Sequence, residues 1–276
     1  PDIFYRYGDF ENEYFINIIT KRTLYFNHPK NFSDLNDCSS RIYFDKDKIT
    51  DCYSKFFLQN PLWKRDMANS LARYNYKMNF GDAELKNERM NEFHKRFNNI
   101  LGILCTTDNN NNPYLWQKYS NSFKGFCVGF DMKNQILWNS GFSLNKVAYW
   151  DELPVLEYPF YEIEQESDDP LNSQFYHFLL EFIFNKLKIS QDEVYKLEKE
   201  WRFAKLLIAE KPGIGTELQR VFQLPSHAFR EIIFGYEMHK SVRMNIKKIA
   251  EQQGLNVEFK VAVPNINNTV TIEPES

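Results

Sequence analysis

Residues 195–206 read YKLEKEWRFAKL, and the fold class turns on where within them helical character gives way to strand. Tyr195 to Glu200 carry the charge density of a helix, whereas WRFAKLLIA (201–209) has the aromatic and aliphatic composition of a strand. If the segment is extended through the acidic pair, Glu198 and Glu200 project to the same side. They then share one cavity, where mutual repulsion raises the pKa of one and prepares it for proton transfer. Arg202 continues that side and suits a bidentate grip on a carboxylate or phosphate. If 191–200 is helical, the two glutamates diverge by about 200° and each is a solvated charge.

Outward from this stretch, strand composition recurs at 2–7 (DIFYRY), 23–26, 100–105, 126–131, 146–150, 231–235, 257–263 and 269–274. Helical spacing is found at 12–22, 114–122, 171–188 and 240–254, and in two stretches within 62–100 broken near Phe80-Gly81-Asp82. Ser190 to Glu193 has the spacing of a capping box. Strands come in runs with helices inserted and do not alternate strictly with them. The expected class is α+β, with a mixed, largely antiparallel sheet. No repeat and no linker divides the chain, so a single domain over 1–276 is expected. It would carry a helical insertion at about 50–100 and an acidic connection at about 151–170.

Composition narrows the function classes. The chain has 276 residues and a formal net charge of −3, so it is not a nucleic-acid binder by overall charge, although local basic groups stand at Lys64-Arg65, Lys95-Arg96 and Lys247-Lys248. Its 25 Phe and 16 Tyr supply core and also flat stacking surfaces. The four cysteines are irregularly spaced and read as reduced packing thiols of a cytoplasmic protein. The five histidines are scattered without HExxH, so no built-in metal site is expected. No signal-peptide pattern and no run of about 18 apolar residues is seen. GxxxxGK and GxSxG are absent, and the glycines of KPGIG (211–215) read as turn residues.

Three further stretches carry candidate residues. NHPKNFSDLNDCSS (27–40) is a polar loop after a strand, and its Asn31, Ser33, Asp34, Asn36 and Asp37 either grip a ribose or phosphate or cap the next segment through Asx turns. Arg6, between Tyr5 and Tyr7, is either a ligand clamp or one half of an ordinary ion pair. Tyr119-Ser120 stands in a short polar element before the strand at 126.

The order of YRY (5–7), TLYFNHPKNFSDLNDC (23–38), ILC (103–105), LWQKYSNSFKGFCVGFD (115–131), KVAYW (146–150), EKEWRF (198–203), REIIFG (230–235) and TVTIEP (269–274) resembles a bacterial family known as domain of unknown function 2971. The chain departs from that family at Arg6, where lysine is usual, and in the 33–37 loop, where an Asn-Asp-Pro turn is usual. A second resemblance is to the ADP-ribosyltransferases, on the basic residue of the first strand, the mid-chain Tyr-Ser and the late Glu-x-Glu. That resemblance implies NAD as co-substrate, held by Arg6 with Tyr7, by Asn31, Ser33, Asn36 and Asp37, and by Ser120 and Arg202. Tyr119 would pack or orient, Glu200 would be the catalytic carboxylate and Glu198 would face the acceptor. A carboxylate there stabilises the oxocarbenium-like ribose formed as the glycosidic bond breaks. The expected role is a toxin-like or phage-defence effector acting on a protein or nucleic acid, with an antitoxin or regulator as a further partner. A metal-dependent nuclease using Asp34, Asp37, Glu198 and Glu200, and a non-enzymatic binding module, remain open beside it.

Overall fold

The computed structural model describes residues 2–32, 37–38, 41–131, 142–152, 155–157, 185–187, 193–207 and 219–275. The chain divides into two compact units, one made of Pro1–Phe32, Ile100–Tyr149 and Lys188–Ser276, the other of Ser33–Asn99 and Trp150–Leu187. The first unit opens with β1 (Ile3–Gly8), α1 (Glu13–Thr20) and β2 (Thr23–Tyr25). The second then takes β3 (Arg41–Tyr43), α2 (Lys46–Leu58), α3 (Arg65–Phe80) and α4 (Ala83–Ile100). The chain continues with β4 (Leu101–Thr107), α5 (Pro113–Lys118), β5 (Phe126–Asp131), β6 (Phe142–Lys146) and β7 (Ala148–Trp150). The short strands β8 (Val155–Glu157) and β9 (Asn185–Leu187) precede the closing run of β10 (Glu200–Leu206), β11 (Val221–Gln223), β12 (Phe229–Gly235), α6 (Lys240–Gln252), β13 (Glu258–Pro264) and β14 (Val270–Pro274).

The expected α+β class with a largely antiparallel sheet is what forms. Eight strands run in the order β14-β13-β12-β5-β1-β4-β10-β6. Only β12 and β13 pair in parallel, and the chain between them carries α6, as a parallel crossover requires. One row crosses most of the sheet: Glu258 opposes Glu231, then Gly129, Tyr5, Thr107 and Glu200. β1 and β4 meet at a single pair, Tyr5 opposite Thr107, whereas β1 pairs with β5 along its whole length.

Alternation along the strands separates two buried sides. On one, Phe4, Leu104, Val128, Phe203, Ile232 and Phe234 form the main core with Phe15, Ile18 and Ile19 of α1 and Ile246 and Ala250 of α6. Each large side chain buried there contributes about 1.5–3 kcal/mol. Asn12 starts α1 by accepting from the Phe15 amide, which turns that apolar face onto the sheet. On the other side, Tyr5, Cys127, Ile233 and Ala262 pack with Trp116 of α5 and with Phe123.

In the second unit α2 and α3 pair as a hairpin. Asp45 caps α2 by accepting from the amides of Asp47 and Lys48. Ile49 and Tyr53 of α2 and the small Ala68 and Ala72 of α3 are buried, as is Phe80. β3 pairs with β8 in parallel.

Several expectations are corrected. The helix expected over 171–188 lies mostly outside the described residues, but its end, Asn185–Leu187, is a strand. The acidic connection at 151–170 contains β8, and the capping-box stretch from Ser190 lies largely outside the described residues. The helix expected over 114–122 stops at Lys118, because Asn121, Ser122 and Phe123 all take left-handed backbone. No helix among the described residues is long and apolar enough to cross a membrane.

Candidate functional site

The question posed by residues 195–206 has a local answer. Glu193–Glu198 is a 3-10 helix, Lys199 takes φ 48°, and Glu200 begins β10. The acidic pair is neither continuous strand nor continuous helix, because one left-handed residue joins the two elements. Neither carboxylate is a solvated charge: Glu198 is 7% exposed and Glu200 4%.

Facing this junction is the loop after β4. Asn112 caps α5 by accepting from the Tyr114 amide, with Pro113 at the first helical position, and its own amide donates to the Leu197 carbonyl. The Thr107 hydroxyl donates to the Lys199 carbonyl at 3.3 Å, and the Trp201 indole to Asp108 at 3.1 Å. These bonds tie the 107–112 loop to both sides of the left-handed residue.

Two charge-assisted groups result. The Tyr119 hydroxyl donates to Glu198 Oε1 at 2.7 Å, and Lys118 Nζ reaches the same oxygen at 3.2 Å. Lys118 also lies over the rings of Tyr114 and Tyr119. Burial pulls its ammonium down, but hydrogen bonding to Tyr114 and the charge of Glu198 outweigh that and raise it. Arg202, fully buried, grips Glu200 in bidentate fashion, with Nε to Oε1 at 2.7 Å and Nη2 to Oε2 at 3.1 Å. Its guanidinium lies 5.3 Å from the ring centre of Phe32. Although Tyr119 leaves 43% of its surface exposed, its hydroxyl is turned in onto buried Glu198. Burial first, then the charges of Glu198 and Glu200, push that hydroxyl far above the usual phenol range. The tyrosine therefore stays protonated, donates to Glu198 and feels the charge of Glu200.

The other expected site residues divide. Ser120 is fully buried beside Tyr119, and its Oγ has no hydrogen-bond partner among the described residues. Tyr7 donates to the Asn109 carbonyl at 2.7 Å and packs edge-on to Trp116, so it supports the loop from below. Asn31, at the end of a 3-10 turn, donates its amide to Asn27. Ser33, Asp34 and Asn36 lie outside the described residues, and the Asp37 carboxylate accepts from the Cys38 amide within the second unit.

Arg6 is not on the side of Glu200. It opposes Val128 and so leaves β1 on the side of Phe4 and the main core, whereas Glu200 and Arg202 leave β10 on the side opposite Phe203. Burial lowers its pKa, and it makes no ion pair or hydrogen bond among the described residues.

Sequence reasoning missed Lys118, Phe32, Thr107 and Asn112. Only Asn112 had a local signal, the Asn-Pro of a helix start. Among the described residues no three His, Cys, Asp or Glu converge on a metal-sized position. Comparisons with protein-family models, with curated proteins and with solved structures found no match to this chain.

Proposed function

We propose that the chain is an NAD-consuming transferase of ADP-ribosyltransferase-like fold, related to the domain-of-unknown-function family 2971. In this reading it works in the cytoplasm as a toxin-like or phage-defence effector and modifies a protein or nucleic acid. The observation that carries the reading is the pair of buried carboxylates flanking Lys199, both felt by the Tyr119 hydroxyl. Glu200, fixed by Arg202, is preorganised to stabilise positive charge developing on the ribose as the bond to nicotinamide breaks and the nicotinamide leaves with the electron pair. The acceptor's oxygen or nitrogen then bonds to the ribose carbon and gives up its proton to Glu198, whose other partners, Tyr119 and Lys118, hold it in place. Tyr114 and Phe32 supply aromatic surface beside these charges.

Arg6, desolvated and unpaired among the described residues, suits a pyrophosphate. It leaves β1 on the side opposite to Glu200, so its part in this reading is tested by its own variant, apart from the carboxylates.

The test is nicotinamide release from NAD, with thermal shift, on the parent, Glu200→Gln, Tyr119→Phe and Arg6→Gln. Gln at 200 keeps one acceptor oxygen for the buried Arg202, which limits the loss of folding stability. Glu200→Gln should lower turnover by about 10²–10³ with NAD still raising Tm. Arg6→Gln should weaken NAD binding. A parent that neither releases nicotinamide nor is stabilised by NAD overturns the proposal.

A further inference from the structure

Asn112 stands just before Pro113, the first residue of α5, and is 7% exposed. The two ends of its side-chain amide go to the two elements that carry Glu198 and its partners. Oδ1 accepts from the Tyr114 amide at 3.0 Å and so starts α5, whose far end carries Lys118 and leads into Tyr119. Nδ2 donates to the carbonyl of Leu197, the neighbour of Glu198 in the 3-10 helix. These partners fix the orientation of the group, since a flipped amide would set oxygen against a carbonyl and NH2 against an N–H. α5 is thus fastened to the end of the 3-10 helix at both of its own ends. Asn112 holds the head, and at the tail the Tyr119 hydroxyl and the Lys118 ammonium lie 2.7 Å and 3.2 Å from Glu198 Oε1.

Capping a helix requires only an acceptor, and Ser or Asp fills that position as well as Asn does. A donor to Leu197 is a separate requirement. An ionised Asp has no proton to give, and a Ser side chain is too short to reach from the cap to a second element. The geometry assigns Asn112 as a positioning residue for Glu198: its amide donor to Leu197, beyond its cap on α5, keeps the carboxylate under Tyr119 and Lys118. The consequence for the reaction rests on the transferase reading, in which Glu198 takes the acceptor's proton, whereas the placement of Glu198 does not. Without the donor the end of the 3-10 helix shifts on α5, and a displacement of about 1 Å at a reacting group costs about 10²-fold in rate.

The test uses the full chain with Asn112→Ser and Asn112→Asp, which both keep an acceptor for the Tyr114 amide and remove the donor to Leu197. The first readout needs no turnover: ultraviolet titration of tyrosine ionisation. In the parent Tyr119 stays protonated through the ordinary phenol range. Both variants should gain about one tyrosine that ionises near pH 10, and adding Tyr119→Phe should remove that gain. The second readout is nicotinamide release, where kcat should fall about 10²-fold with KM for NAD unchanged. Helical circular dichroism close to the parent's shows that the cap survives. Should Asn112→Ser fail to fold, Asn112→Asp, of the same size, decides. Variants that titrate as the parent does overturn the inference and leave Asn112 a helix cap only, as does a gained tyrosine that Tyr119→Phe does not remove. An altered titration with unchanged kcat overturns its consequence for the reaction. A parent that releases no nicotinamide, with the titration still separating it from the variants, overturns the transferase reading and leaves the placement of Glu198 by Asn112 standing.

Discussion

Tyr5 shows how much one residue can depend on another 226 positions away. Its hydroxyl donates to Glu231 at 2.5 Å, across β5 and over Gly129, whose missing side chain makes the passage. A Cβ at Gly129 would lie 2.9 Å from Tyr5 Cε1 and 3.0 Å from Glu231 Cγ. Gly129→Ala should therefore lower stability by about 1–3 kcal/mol, read from the urea midpoint. Combined with Tyr5→Ala, which removes the ring, it should cost less than the sum of the two single changes. In the sequence Tyr5 was legible only as an aromatic neighbour of Arg6. Nothing local marks the carboxylate it meets, because the register that brings Glu231 to Gly129 depends on pairing strands distant in sequence. Glu200 and Arg202 were legible as a pair for the opposite reason: their contact is made within one strand, by residues two apart.

At the scale of elements, neither alternative stated for residues 195–206 holds, and the junction that forms, a 3-10 helix and a strand joined by one left-handed residue, was not readable. Whether Lys199 turns left-handed is settled by Thr107 and Asn112, which hold the carbonyls of Lys199 and Leu197 from another part of the chain. The left-handed conformation costs a residue with a Cβ about 1–2 kcal/mol. Lys199→Gly should remove that cost, lose part of the gain to the unfolded chain, and stabilise by under about 1 kcal/mol. A fall in the urea midpoint would mean that the Lys199 side chain supports the junction. Most strands were found within a few residues, since alternation and β-branched composition are local signals. β3, β8, β9 and β11 were missed because strands of three residues carry no period to read, and β6 was expected only at its last residue.

For the molecule as a whole, the helical insertion at about 50–100 and the acidic connection at about 151–170 were legible, but not that they belong to one unit, because stretches so distant in the chain carry no local sign of their contact. Stability should be uneven within it and between its parts. β5 and β12 lie at full burial inside the eight-stranded sheet, whereas much of α3 and α4 faces solvent. Amide hydrogen exchange should be slowest across Phe126–Asp131 and Phe229–Gly235 and faster by orders of magnitude in α3 and α4. Alkali should act on the sheet. The pKa of Tyr5 is raised by burial and by Glu231, and that of Lys260 by its bonds to Glu231 and Glu258. A raised pKa gives stability that is complete below the unfolded value, about 10, and is lost as pH climbs toward the folded one. Stability should thus be flat in this respect from neutral pH to about 10 and fall above it, and Tyr5→Phe should blunt the fall.

The single pair between β1 and β4 also has a mechanical meaning. It divides the sheet into two ribbons, β14-β13-β12-β5-β1 and β4-β10-β6, and both ends of the chain belong to the first. A pull applied to the two ends loads β1 and β14 directly, and one bridge transmits little of that load sideways. The first ribbon should come apart while β4-β10-β6 stays folded, giving a force trace with a separate later rupture for the strands that carry Glu200 and Arg202.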